Sequence, residues 1–168
     1  MSVFDIRPLS WEALVCCLLS GIIVGLERQL RGKPVGMRTS ALICIGTYVF
    51  VAIARHMSND VTDPSRIIGQ VVTGIGFLGA GVILAQHGVI VGVTSASAIW
   101  VLAAIGVVIG LGWPWLGVKL AILTVVVLVG VDSVENHFEF LQRGVHHKLE
   151  RRRGHEPNEP PRLSKDSE

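Results

Sequence analysis

Between Arg66 and Lys119 the chain carries no Asp, Glu, Lys or Arg. A spanning helix needs about 20 predominantly apolar residues, so this run has room for two with a short link. A soluble domain of this length needs charge to cover itself. Here only 17% of 168 residues are charged, and they are segregated to the flanks of the apolar stretches. Backbone exposed to lipid must satisfy its own hydrogen bonds, which leaves helices or a closed barrel. Barrel strands alternate polar and apolar residues, and these segments do not. The sequence predicts an all-α, polytopic integral membrane protein.

Five transmembrane helices can be drawn, over residues 11–26, 39–54, 67–85, 93–111 and 115–131. Residues 1–10 then form an extracytoplasmic arm and 11–140 the transmembrane domain. Residues 141–168 form a charged, proline-rich tail that is expected to be largely disordered. Asp63-Pro64-Ser65 reads as a cap followed by proline at the first helical position. Gly112-Trp113-Pro114-Trp115 reads as a turn between interfacial tryptophans. The first apolar run leads into Glu27-Arg28-Gln29 rather than a small-residue cleavage site, so it is read as a retained helix. Arg28, Arg31, Lys33 and Arg38 crowd the first loop, and the tail is also basic. The positive-inside rule puts both in the cytoplasm and the N-terminus outside. With a net charge of +2 and no basic patch interleaved with aromatics, nucleic acid is not an expected partner. Cys16, Cys17 and Cys44 lie in apolar stretches and read as small packers.

Gly74-Ile-Gly76-Phe-Leu-Gly79 matches the spacing of a dinucleotide-binding turn. The context contradicts that reading: the glycines lie inside an apolar segment, and the next acidic residue is Asp132. Packing is the alternative, because helices in lipid associate by close backbone approach through small residues. Gly69, Thr73, Gly76 and Ala80 share one stripe, while Gly74, Gly81 and Gly79 point elsewhere. The third helix is therefore expected at the centre of the bundle. Gly21 and Gly25 in the first helix, and Ala96, Ala103, Gly106 and Gly110 in the fourth, form similar stripes. A polar path lined by Gln70, Thr73, Thr94, Ser95 and Ser97 is the competing reading.

Glu27 at the end of the first helix needs a cationic partner, Arg31 or Arg38, or water. The plainer reading is a basic loop that meets anionic headgroups. Asp132, Glu135, Asn136 and Glu139 share a helix face. They are weak candidates for Mg²⁺ against a solvated juxtamembrane face. No other cofactor is expected. With no nucleophile–base pair, metal-protease spacing or P-loop, nothing points to an enzyme. The second to fourth helices have no acidic residue in their interiors, which counts against a carboxylate pathway for a cation.

Three blocks carry a resemblance: "GLERQLRGKPVGMRTSALICIG" (25–46), "DPSRIIGQVVTGIGFLGAGVIL" (63–84) and "GVTSASAIWVLAAIGVVIGLG" (92–112). In their conjunction the chain resembles the MgtC/SapB family of bacterial inner-membrane proteins. The candidate functional residues in these blocks are Glu27, Arg28, Arg31, Gly36, Arg38, Thr39, Asp63, Arg66, Gln70 and Trp100. The chain has Val91 where members commonly carry an arginine. It also reads as a short form, without the soluble ACT-like domain of the MgtC branch. The resemblance implies a link to adaptation to low Mg²⁺ and to intracellular survival. It further implies regulation of other membrane proteins, the ATP synthase among them, with magnesium transport as an older label. Self-association stays open as well.

Overall fold

The computed structural model describes residues 6–57, 64–86 and 89–131. Among these, five helices follow one another: α1 (Trp11–Leu30), α2 (Met37–Met57), α3 (Pro64–Gly81), α4 (Val93–Gly110) and α5 (Pro114–Val131). The protein is an all-α bundle. Four of the helices, α1, α2, α4 and α5, are long and apolar enough to cross a membrane. Met1–Leu128 forms one compact unit and Val129–Glu168 a second, of which residues 129–131 are described. The expected tail, Asp63, and the acids Asp132, Glu135 and Glu139 lie outside the described residues.

α1 starts where Ser10 accepts a hydrogen bond from the Ala13 N–H at 3.2 Å, the usual N-cap arrangement. It runs one turn beyond the expected end and so carries Glu27 and Arg28 within the helix. α3 begins on Pro64, as the sequence suggests, but ends at Gly81 rather than residue 85. There the chain forms a short antiparallel ladder between β1 (Leu84–Gln86) and β2 (Val89–Val91), with Leu84 opposite Val91. Apolarity alone extended the helix too far. Val89, Ile90 and Val91 are β-branched and favour extended backbone, and Gly92, at φ +93°, turns the chain into α4.

Small residues fix the close seams. A Cβ added at Gly25 would lie 2.5 Å from Met37 Cα, and one at Gly21 would strike the Ala41 backbone. α1 and α2 thus touch backbone to backbone through a small-xxx-small pair. A Cβ at Gly106 would lie 2.7 Å from both Cys44 O and Thr47 Cβ, which sets the α2–α4 seam. Cys44 Sγ donates to the Leu102 carbonyl at 3.4 Å across that seam. The core joins Cys16, Cys17 and Val24 of α1 to Cys44 and Tyr48 of α2 and to Leu102, Ile105 and Ile109 of α4. From α5, Ala121 is buried, while Ile122, Leu123, Val126 and Val127 stay exposed.

The expectation of a central third helix is corrected. α2 occupies the centre, between α1 and α4, and α3 lies at the periphery against α2 and α4. Phe77 is 82% exposed, and nothing lies within 4 Å of a Cβ at Gly69, Gly74, Gly76 or Gly81. Glycine content marks where close approach is allowed, not where it happens within one chain.

Two long-range bonds set the helix directions. Arg55 at the end of α2 donates to the Leu111 carbonyl at the end of α4, at 2.8 Å. Arg28 at the end of α1 donates to Ser95 at the start of α4, at 3.0 Å. α2 and α4 are therefore parallel, and α3 carries the chain back between them. Its 18 residues extend about 27 Å at 1.5 Å per residue.

Candidate functional site

The described charged groups with the deepest burial meet where α1 ends and α4 begins. Arg28 follows Gly21 and Gly25 at steps of four and three, on the same helix face. The glycines bring α2 in close, and the arginine that continues their stripe is carried under the bundle. It is 2% exposed and Glu27 is 8% exposed. Arg28 Nη2 donates to Ser95 Oγ at 3.0 Å, and Ser95 is itself buried in the first turn of α4. Glu27 Oε1 lies 2.8 Å from Arg31 Nε, and Glu27 Oε2 lies 3.8 Å from Arg28 Nη1.

Both Glu27 oxygens and Arg28 Nε are buried without a hydrogen-bond partner among the described residues. The short Glu27–Arg31 approach is thus an ion pair lacking hydrogen-bond geometry. One carboxylate between two guanidinium groups leaves a net positive cluster. Both arginines sit in or beside the last turn of α1, where the helix dipole favours cations. The arrangement fixes two helix ends and the intervening loop by charge.

The loop below it is conformationally demanding. Gly32 takes φ +62° and Val35 takes φ +70°, an unusual conformation for a β-branched residue. Ser40 Oγ donates to the Val35 carbonyl at 3.3 Å. Gly36 serves close approach instead: a Cβ there would lie 3.1 Å from Gln29 Oε1. Arg38 and Thr39 are exposed beside this loop, so the structure gives Glu27 to Arg31 and not to Arg38.

The other candidates lie apart from this cluster. Arg66 and Gln70 are exposed on α3. Gln70 lines a cleft of about 560 Å³ between α2 and α3, together with Thr47, Gly74 and Leu78. Trp100, 52% exposed, lines a groove of about 550 Å³ between α3 and α4 with Gly76, Gly79 and Ser97. A Cβ at Gly79 would make ordinary contact with Ala96, at 3.8 Å. Thr73 and Ser97 each donate to the carbonyl four residues earlier, at 2.9 and 3.0 Å. These hydroxyls donate into their own helices and keep acceptor capacity towards the clefts. Among the described residues no group of three His, Cys, Asp or Glu is placed to hold a metal ion. Residue reasoning did not single out Tyr48, which is 3% exposed. Its signal was available: it is the one tyrosine of the chain, set in an apolar segment.

A family model described as "MgtC family" matches residues 14–137, a range that takes in most of α1 and all of α2 to α5. The chain belongs to the MgtC family. It is 48% identical over 127 residues to "Putative magnesium transporter YhiD" of Escherichia coli K12, covering 70% of this chain and 59% of YhiD. An uncharacterised Haemophilus influenzae protein is 41% identical over 152 residues, 85% of this chain and 61% of that protein. "Protein MgtC" of Salmonella typhimurium LT2 is 43% identical over 99 residues, 59% of this chain and 42% of that protein. The chain thus spans about three-fifths or less of the length of these curated relatives. No solved structure matches it. With four helices able to cross a bilayer, this MgtC-family chain is a multi-pass membrane protein.

Proposed function

We propose that the chain is a non-enzymatic regulator of the bacterial inner membrane, acting by helix-to-helix contact with other membrane proteins. All five helices span the bilayer, with the loop at residues 31–36 in the cytoplasm. One observation carries the reading: α3 is open on two faces, with bare backbone at Gly76 in the groove beside α4 and an exposed amide at Gln70 beside Gly74 in the cleft against α2. Gly69, Gly74 and Gly76 have no Cβ neighbour, and Gln70 is exposed among them. Acyl chains match neither feature well. A neighbouring helix gains packing at the glycines and can satisfy the amide.

The family resemblance extends this to adaptation to low Mg²⁺ and intracellular survival, with the ATP synthase as a candidate target. The name of the YhiD relative supports a second reading, in which Mg²⁺ is cargo. The acids best suited to a hydrated Mg²⁺, Asp132, Glu135 and Glu139, follow α5 in the sequence.

A photo-crosslinker placed at Gly76 in native membranes is expected to capture a discrete larger partner. The same group at Leu123, on the exposed side of α5, is expected to capture lipid. Equal yields at the two positions, or Mg²⁺ flux in liposomes holding the purified chain alone, would sink the regulator reading.

A further inference from the structure

At the end of the bundle opposite Glu27, a polar cavity of about 420 Å³ opens between the start of α1, the end of α2 and the α4–α5 turn. Glu12, Tyr48, Arg55 and His56 line it. Each charge has a local reason to be there. Glu12 lies in the first turn of α1 and Arg55 and His56 in the last turn of α2, where helix dipoles favour those signs. Dipoles do not account for Tyr48. Its hydroxyl accepts the Ser10 N–H at 2.8 Å, which leaves the phenolic proton to donate elsewhere. No described residue accepts it, and the side chain is 3% exposed and borders the cavity. A buried hydroxyl thus borders a space that also holds a carboxylate and the guanidinium of Arg55, whose Nη1 already donates to the Leu111 carbonyl.

The surroundings say what kind of molecule fits. Trp11, Trp113 and Trp115 are each more than half exposed at this end, the placement of an aromatic belt at the bilayer surface. Trp115 Nε1 donates to Glu12 Oε1 at 2.9 Å, which ties the belt to the cavity. Pro114 borders a second, apolar notch of about 380 Å³, formed with Trp113, Trp115 and Leu116, and it also borders the polar cavity. A polar chamber with opposite charges therefore adjoins an apolar slot at headgroup depth.

We infer that this paired cavity binds a zwitterionic phospholipid of the phosphoethanolamine class. Its phosphate is held by the Tyr48 hydroxyl and Arg55, and its ammonium by Glu12. The apolar slot takes the start of an acyl chain, so the source is a bilayer lipid rather than a free soluble phosphoamine. The inference rests on the membrane-spanning fold and is independent of whether the chain regulates or transports.

Native mass spectrometry of the full chain, released from mixed micelles of phosphatidylethanolamine and phosphatidylglycerol, tests it. Charge-assisted hydrogen bonds of the ammonium to Glu12 set an expected preference of about tenfold for phosphatidylethanolamine. Glu12→Gln keeps an acceptor for Trp115 and is expected to bring the two lipids to parity. Tyr48→Phe is expected to weaken both by about fivefold, the loss of one hydrogen bond. Equal retention of the two lipids by the native chain would overturn the assignment without any variant. An unchanged preference in Glu12→Gln would overturn the role of that carboxylate. Displacement by millimolar free phosphoethanolamine as effective as by the lipid would overturn the lipid source.

Discussion

Glu27 has two cationic neighbours, and distance and burial rank them in opposite orders. Arg31 is nearer, at 2.8 Å against 3.8 Å, but its side chain is 29% exposed while that of Arg28 is 3% exposed. Coulomb energy scales inversely with both separation and effective dielectric. The distances differ by about a third, whereas solvent screens the part-exposed Arg31 and burial leaves an unpaired Arg28 with a desolvation penalty. Burial wins, and Arg28 is the stronger partner. Glu27→Gln strands a buried guanidinium, so it is expected to destabilise the protein by about 3 kcal/mol, read by thermal unfolding in micelles. A double-mutant cycle is expected to give more than 1 kcal/mol of coupling between Glu27 and Arg28, and less between Glu27 and Arg31. The reverse order would reassign the pair. Val35 offers a second check in the adjoining loop. Its φ of +70° costs about 1 kcal/mol or more in a β-branched residue, so Val35→Gly is expected to raise the melting temperature slightly. A clear fall would show that the packing of Val35 against the core outweighs the backbone strain.

Two glycines of identical chemistry are expected to behave oppositely because they sit on different elements. Gly25→Leu forces α1 away from the Met37 backbone and is expected to cost about 3 kcal/mol or more by overpacking. Gly76→Leu on α3 meets open space and replaces a poor helix former. It should leave unfolding in detergent within about 1 kcal/mol of the parent while abolishing any partner capture through α3. Equal destabilisation by both would return α3 to the interior of the chain. The helices themselves were legible in the sequence, because a charge-free run longer than a bilayer admits few solutions. The choice between Gly25 and Gly76 was not. Small-residue stripes look alike whether the surface that fills them lies in this chain or outside it. The pairing of β1 with β2 was hidden for a related reason: short apolar runs read equally as helix ends. Nor did the sequence reveal which arginine Glu27 meets, since that depends on how far α1 continues past Leu26.

At the scale of the whole molecule, α1, α2 and α4 form a core that holds all three cysteines. Cys16, Cys17 and Cys44 are each 1% exposed or less. A membrane-permeant maleimide is expected to leave all three unlabelled in the folded protein. It should label them together when the bundle is unfolded in strong detergent, and early labelling of Cys44 alone would show that the α2–α4 seam opens independently of the α1–α2 seam. The parallel arrangement of α2 and α4 also constrains the order of assembly. α1 and α2 are adjacent in the chain and present complementary glycine and backbone surfaces, so their hairpin can close as soon as both have been synthesised. The seam between α2 and α4 cannot close until α3 has crossed the full length of the bundle and the chain has turned back at Gly92. During that interval α3 has α2 on one side and nothing yet where α4 will pack. A peripheral helix thus waits half-supported for its successor to dock, and any membrane neighbour present at that moment meets its glycines before α4 does.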